Sequence, residues 1–249
     1  MGLFESFSEF SERIEAQSME HSAEMYEKVQ VPDNSRVEIS TEVPGVERAI
    51  VIGNPFAAAQ LMDYVQGDNE LHYQQDCGLT SVSNIARLCG LNVSENDVVI
   101  LADKLNECDN RWFIPMTDRG GVSDDNIINL LAHYGIESRA ESALSPGGSL
   151  EAIAQYCENG QNVTMGLNAG VAWNEPSCIG NGYANHQVTV LGAVRDASTG
   201  EVAGLYICDS GSHDQCRFVD REMCEAMYSE IPNASIVVTT NSYSSGKLV

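Results

Sequence analysis

Gln74-Gln75-Asp76-Cys77-Gly78-Leu79-Thr80-Ser81-Val82 puts a cysteine where a loop turns into a helix. Asp76 is a helix-capping residue type. Leu79, Val82, Ile85 and Ala86 then recur on one helical face as far as Leu88, and Gly90 closes the turn. A helix over 77–88 is expected, with Cys77 at its start. Unpaired N–H groups and the helix dipole favour a thiolate there, and the thiolate is the form that attacks carbonyl carbon. Gly78, beside the sulfur, would leave room for a substrate to approach.

Working outward, further helix starts are written in the same capping chemistry. Ser94-Glu95-Asn96-Asp97 resembles a capping box opening a helix to about Leu105. Ser123-Asp124-Asp125-Asn126 opens one over 127–134, and Ser149 one that ends at Asn159-Gly160. Strand signals follow over 162–167, 186–194 and 202–208. The last two are joined by Asp196-Ala197-Ser198-Thr199-Gly200, which has hairpin-turn chemistry. A helix over 220–228 and a strand over 235–240 complete the pattern. Helices first and antiparallel strands afterwards predict an α+β fold, with helices packed on one side of a sheet.

Residues 1–66 read as an accessory region and 67–249 as the main domain. Leu3, Phe7, Phe10 and Ile14 share one face of a helix expected over 3–29. That face needs an apolar cover, from the same chain or from a protein partner. Val31 to Ser35 should break the helix, 36–52 should form short strands interrupted by Pro44-Gly45, and 56–65 one more helix.

Composition narrows the function. The 249 residues carry 13 basic and 36 acidic side chains, a formal charge of −23. So few cations would mostly repel DNA, RNA or an anionic membrane, so a charged partner should be basic. No apolar run is long enough to span a bilayer. Glu5, Glu9, Glu12 and Glu15 stand where a secretory signal needs basic and apolar residues, so a cytoplasmic protein, or one exported without a cleavable signal, is expected. Met1-Gly2-Leu3-Phe4-Glu5-Ser6 fits the short myristoylation pattern, but its acidic flank opposes lipid anchoring and it reads as coincidence. The eight cysteines include no C-x-x-C pair, and no Cys/His set has zinc spacing, so neither a metal nor another cofactor is expected. Most of them, Cys89 and Cys157 among them, read as small buried hydrophobes.

Two further motifs follow Cys77 in order. His186 opens the apolar strand Gln187-Val188-Thr189-Val190, and Asp209 ends Tyr206-Ile207-Cys208 just before Ser210-Gly211. Neighbouring antiparallel strands can bring His186 and Asp209 together. His186 would then take the thiol proton while Asp209 orients the imidazole, with Asp196 and Asp214 as competitors for that third role. The Cys77 backbone N–H and the Gln74 side-chain amide are candidate oxyanion donors. Trp173, in the loop 168–185, reads as part of a cleft wall. His72 and His213 read as exposed loop residues, and His133 as a helix-end residue.

The Cys77 run, His186-Gln187-Val188 and Cys208-Asp209 together resemble the papain-like cysteine peptidases, above all the branch that trims double-glycine leader peptides from bacteriocin precursors. The likeness runs in order over about residues 67–240 and rests on three short motifs. It implies a papain-like fold, a catalytic cysteine at a helix N-terminus, and cleavage of a peptide or protein amide through a thioester, after small residues such as Gly-Gly. That family's oxyanion glutamine lies six residues before the cysteine, where this chain has Leu71. The second upstream cysteine and the following aromatic of the papain motif are also absent. The expected activity is that of a thiol hydrolase, with a delivered effector or toxin as one setting. Glutamine deamidation, transglutamination and non-catalytic binding on the same fold are the alternatives.

Overall fold

The computed structural model describes residues 28–33 and 36–243. The amphipathic face of Leu3 to Ile14 and the Met1 to Ser6 motif lie outside the described residues. Residues 28 and 29, expected as the end of the first helix, are extended instead. Lys28 forms a bridge with Leu91, and the Val29 N–H donates to the Gly90 carbonyl.

In chain order the elements are β1 (Val37–Ser40), β2 (Ala49–Gly53), α1 (Pro55–Ala59), α2 (Cys77–Leu88), α3 (Glu95–Leu105) and α4 (Asp124–His133). They continue with β3 (Ser138–Ser142), α5 (Leu150–Glu158), β4 (Val163–Leu167), α6 (Ala169–Ala172) and β5 (His186–Asp196). The chain then forms β6 (Val202–Asp209), β7 (Asp214–Asp220), α7 (Arg221–Cys224) and β8 (Ser235–Thr239). A π-helical turn over Glu225–Ser229 extends α7. The architecture is α+β, with one eight-stranded sheet whose named strand pairs are all antiparallel.

Strand β5 organises the sheet. Its first half, 186–190, pairs with β4, and its second half, 192–196, pairs with β2. Strand β6 pairs with 189–195, overlapping both. A strand has only two edges, so β4 and β2 share one of them end to end and β6 takes the other. Strands β1 and β2, from the region read as accessory, belong to this same sheet.

The helices lie on both faces of the sheet, not on one. Val190, Ala193 and Val238 pack with Ile153 of α5 and with Met227 and Tyr228. Leu191 and Val194 instead join Leu88 of α2, and Val237 joins Leu79 and Ile85. The reason is in the strands themselves: nine consecutive residues of β5, His186 to Val194, are buried, so neither face can be left to water. Ile85 is 1% exposed, and truncating it to alanine would cost about 2–5 kcal/mol.

Capping explains the helix boundaries. The expected capping box forms, Ser94 with Asp97, and the Ser123 helix start closes a second one with Asn126. The Ser149 hydroxyl accepts from the Ala152 N–H. Helix α2 spans the expected residues, but the Asp76 carboxylate makes no cap hydrogen bond. Helix α1 stops at Ala59, short of the expected 65. From Asp63 the backbone pairs instead with the Asn84 side chain, whose Oδ1 accepts from the Asp63 N–H at 2.7 Å and whose Nδ2 donates to the Asp63 carbonyl at 2.8 Å.

Candidate active site

Cys77 is the first residue of α2, where the opening N–H groups of a helix have no intrahelical acceptor. It is half-buried, at the edge of a cavity of about 390 Å³ that His186 also lines. The space beside the sulfur is not open in the expected way. A Cβ on Gly78 would lie 2.2 Å from Val122 Cγ2, so glycine lets Val122 of the opposite wall pack against the helix start.

His186 opens β5 and is 6% exposed. Its Nε2 lies 2.7 Å from Asp209 Oδ1. Cys77 lines the same cavity and acts on the imidazole electrostatically. Burial disfavours the imidazolium, but the Cys77 charge and the bond to Asp209 outweigh it. His186 is held up at about 10, against an ordinary value of 6.5. The site therefore favours a charged imidazole beside the Asp209 carboxylate.

Asp209 is fully buried at the end of β6, yet its acceptors are satisfied. Oδ1 receives the His186 ring and the backbone N–H groups of Gly211 (3.0 Å) and Ser212 (3.2 Å). Oδ2 accepts the Trp173 Nε1–H at 2.8 Å. Burial alone would raise this carboxyl, but the His186 bond and charge, with help from Trp173 and Ser212, hold it well below the usual carboxylate range. The two competing aspartates are engaged elsewhere. Asp196 accepts from Ser198 and Thr199 in the hairpin turn, and Asp214 pairs with Ser212 and Arg217.

Trp173, expected in the cleft wall, does not line the cavity; it stands behind His186 instead. It follows α6, and its ring edge meets the His186 ring at a centroid distance of 5.0 Å. Its loop is pinned by two asparagines: Asn168 Nδ2 donates to the Ile179 and Tyr183 carbonyls, and Asn185 Nδ2 to the Cys178 carbonyl. The indole bond to Asp209 joins residues 36 apart, and nothing in the local sequence marks that pairing.

The two glutamines before Cys77 diverge. Gln74 is exposed and does not line the cavity; its backbone carbonyl accepts from Gln66 Nε2 at 2.9 Å. Gln75 does line it, with its N–H donating to the Arg119 carbonyl and its Nε2 to the Thr117 carbonyl at 3.4 Å. Gln66 also accepts from the Ser210 hydroxyl at 3.2 Å, which ties the loop before Cys77 to the loop after Asp209.

Burial raises the other cysteines Cys108, Cys157 and Cys224 to about 12 and Cys216 to about 11, and pushes Cys89 and Cys208 higher still. All eight cysteines are free thiols. Among the described residues, no group of three or more His, Cys, Asp or Glu is placed to hold a metal ion, and no helix is long and apolar enough to cross a membrane.

Fold and site thus define an α+β protein in which Cys77 and His186 line one cavity and the buried Asp209 holds His186 from behind. No family model and no curated protein matches the chain. Among solved structures, one from Bacillus anthracis described as a C39-like peptidase is similar, at 18% identity and a TM-score of 0.48, over 73% of this chain and 96% of that one. A likeness that weak adds nothing to the geometry of the site.

Proposed function

We propose that this chain is a papain-like cysteine peptidase with Cys77 as nucleophile, His186 as base and then acid, and Asp209 as the group that orients the imidazole. The observation that carries the reading is His186, held by Asp209 at 2.7 Å through one ring nitrogen and lining the same cavity as Cys77 at the start of α2. In the first step the Cys77 thiolate attacks a substrate carbonyl and forms a tetrahedral oxyanion. The backbone N–H of Cys77 donates to that oxyanion, together with a side-chain amide. Of the two glutamines before Cys77, Gln75 is the one that lines the cavity, which favours it over Gln74 for this amide. Collapse expels the amine, which takes its proton from the His186 imidazolium and leaves a thioester on Cys77. Water, deprotonated by His186, then releases the acid and restores the thiol.

The charge of −23 supports a basic peptide or protein substrate, steered to the cleft in a salt-sensitive way. The test compares wild type with Cys77→Ala on a cell lysate, reading new peptide termini and deamidated or cross-linked glutamines by mass spectrometry. New termini that depend on Cys77 are expected. Deamidation or cross-linking without new termini would move the same chemistry to a glutamine carboxamide. No Cys77-dependent product would leave a binding module.

A further inference from the structure

Behind the start of α2 lies a buried polar cluster that takes no part in the chemistry above. Asn69, Asp76 and Glu95 are 3%, 0% and 2% exposed. Asn69 Nδ2 donates to the Tyr73 carbonyl at 2.7 Å, to Asp76 Oδ2 at 2.9 Å and to Glu95 Oε1 at 3.1 Å. Glu95 Oε1 also accepts the Gly67 N–H at 3.1 Å, and the Thr80 hydroxyl lies 3.4 Å from Oε2. The Asp76 Oδ1 atom is buried with no donor.

Among the described residues, none of the leading influences on this pair is a cation. The charges that act on Glu95 are those of Asp76 and Asp63, both acids. Arg87, on α2, acts on Asp63 and donates to the Val93 and Leu61 carbonyls. Arg119 lies over the Tyr73 ring and donates to the Ile114 carbonyl. The neighbouring thiol Cys108 is itself neutral, held up at about 12. Two carboxylates in contact in a dry site cannot both ionise, so one proton stays with the pair.

We propose that Glu95 is a positioning residue for Cys77: it keeps its proton and donates it to the orphan Oδ1 of Asp76, fastening the residue before the nucleophile to the start of α3. Burial and the adjoining Asp76 hold Glu95 up at about 9, and burial raises Asp76 as well. The arrangement explains why Asp76, a helix-capping residue type, caps nothing: its oxygens are engaged by Asn69 and by the acid. It also keeps the charge beside the helix start at one unit. A dianion there would oppose a thiolate on Cys77. That Cys77 is the group being positioned rests on the function proposed above; the shared proton does not.

Three variants of the full chain test this: Glu95→Gln, Glu95→Ala and Asp76→Asn. Infrared difference spectra at neutral pH should show a neutral carboxylic-acid carbonyl band in wild type. The band should be lost in Glu95→Gln. A group raised from 4.5 to about 9 on folding loses stabilising effect as pH rises across that window, so the wild-type melting temperature should fall across it more steeply than that of Glu95→Gln. Iodoacetamide should alkylate Cys77 at close to the wild-type rate in Glu95→Gln, which keeps a donor for Asp76, and about tenfold slower in Glu95→Ala. An unchanged infrared band and melting profile in Glu95→Gln would overturn the shared proton. A Glu95→Ala protein that folds and alkylates like wild type would overturn the positioning role. If Glu95→Ala does not fold, Asp76→Asn stands in for it in the alkylation test, and a wild-type rate there overturns the role equally. Failure of Cys77 to react first in wild type would instead strike at the proposed function and leave the infrared result standing.

Discussion

The Trp173 indole donates to Asp209 Oδ2 at 2.8 Å while its ring edge rests against His186, so one side chain fixes two members of the site. The bond orients a carboxylate that burial would otherwise make costly, and the ring shields the His186–Asp209 contact from water. A hydrogen bond to a charged group contributes about 1.5–3 kcal/mol.

Trp173→Phe should therefore separate the two effects. Phenylalanine keeps a ring beside His186 and loses the N–H. Turnover of a peptide substrate should fall roughly tenfold, with the larger loss in kcat than in KM. Trp173→Ala should lose more, because it also opens the contact to solvent. Equal activity in wild type and Trp173→Phe would show that the indole bond is incidental.

The pH profile follows from the direction of the His186 shift. Its folded value, about 10, lies above the ordinary 6.5, so its stabilising effect is full below about 6.5 and is lost as pH rises towards 10. Asp209 is shifted the other way: its contribution is present above its ordinary 3.8 and is lost as pH falls through its depressed value. Asp209→Asn removes an upward influence on His186. The alkaline limb of kcat/KM should then move to lower pH, by about 1–3 units. His186→Ala should abolish activity, and Asp209→Asn should leave a remnant, about 10⁴-fold down. Asp196→Asn should match wild type. An unmoved alkaline limb in Asp209→Asn would contradict the coupling.

Gln75 and Gln74 offer a second contrast. Removing an oxyanion donor costs about 10²–10³ in kcat. Gln75→Ala should show a loss of that order, and Gln74→Ala, at an exposed side chain outside the cavity, should not. The reverse ranking, measured on one substrate, would return the role to Gln74.

How much of this was legible in the sequence depended on whether the signal was local. Ser94 with Asp97 and Ser123 with Asn126 announce helices because each box closes within four residues, and both helices stand where they were expected. Strand β3 was missed because Ser138-Arg139-Ala140-Glu141-Ser142 is polar and only partly covered; its strand character comes from pairing with β8, almost a hundred residues on. Strand β7 was missed similarly: only Val219 within it is buried, and its partner β6 supplies the ladder. The expectation of helices on one side failed because a continuous apolar run such as that of β5 does not tell one buried face from two.

The same distinction runs through the site. Cys77, His186 and Asp209 stood out because each marks the end of an element, and the structure bonds His186 to Asp209 and puts it on the cavity that Cys77 lines. Which of the adjacent glutamines faces the cleft turns on bonds to Thr117, Arg119 and Gln66, contacts that only the folded chain makes. Glu95 looked like ordinary helix-start chemistry. Its meeting with Asp76 crosses from one helix to the residue before another.

The central claim, that Cys77 is the reactive thiol, is tested most directly by timed iodoacetamide labelling at about pH 6, with each cysteine followed by mass spectrometry. Burial holds six of the other seven thiols up, at about 11 or higher, while Cys77 sits half-buried at the edge of the cavity that His186 also lines. The account predicts that Cys77 is alkylated well before Cys89, Cys157, Cys224 and the rest, and that His186→Ala removes its lead. Uniform labelling, or labelling led by Cys178 or any other cysteine, would contradict it.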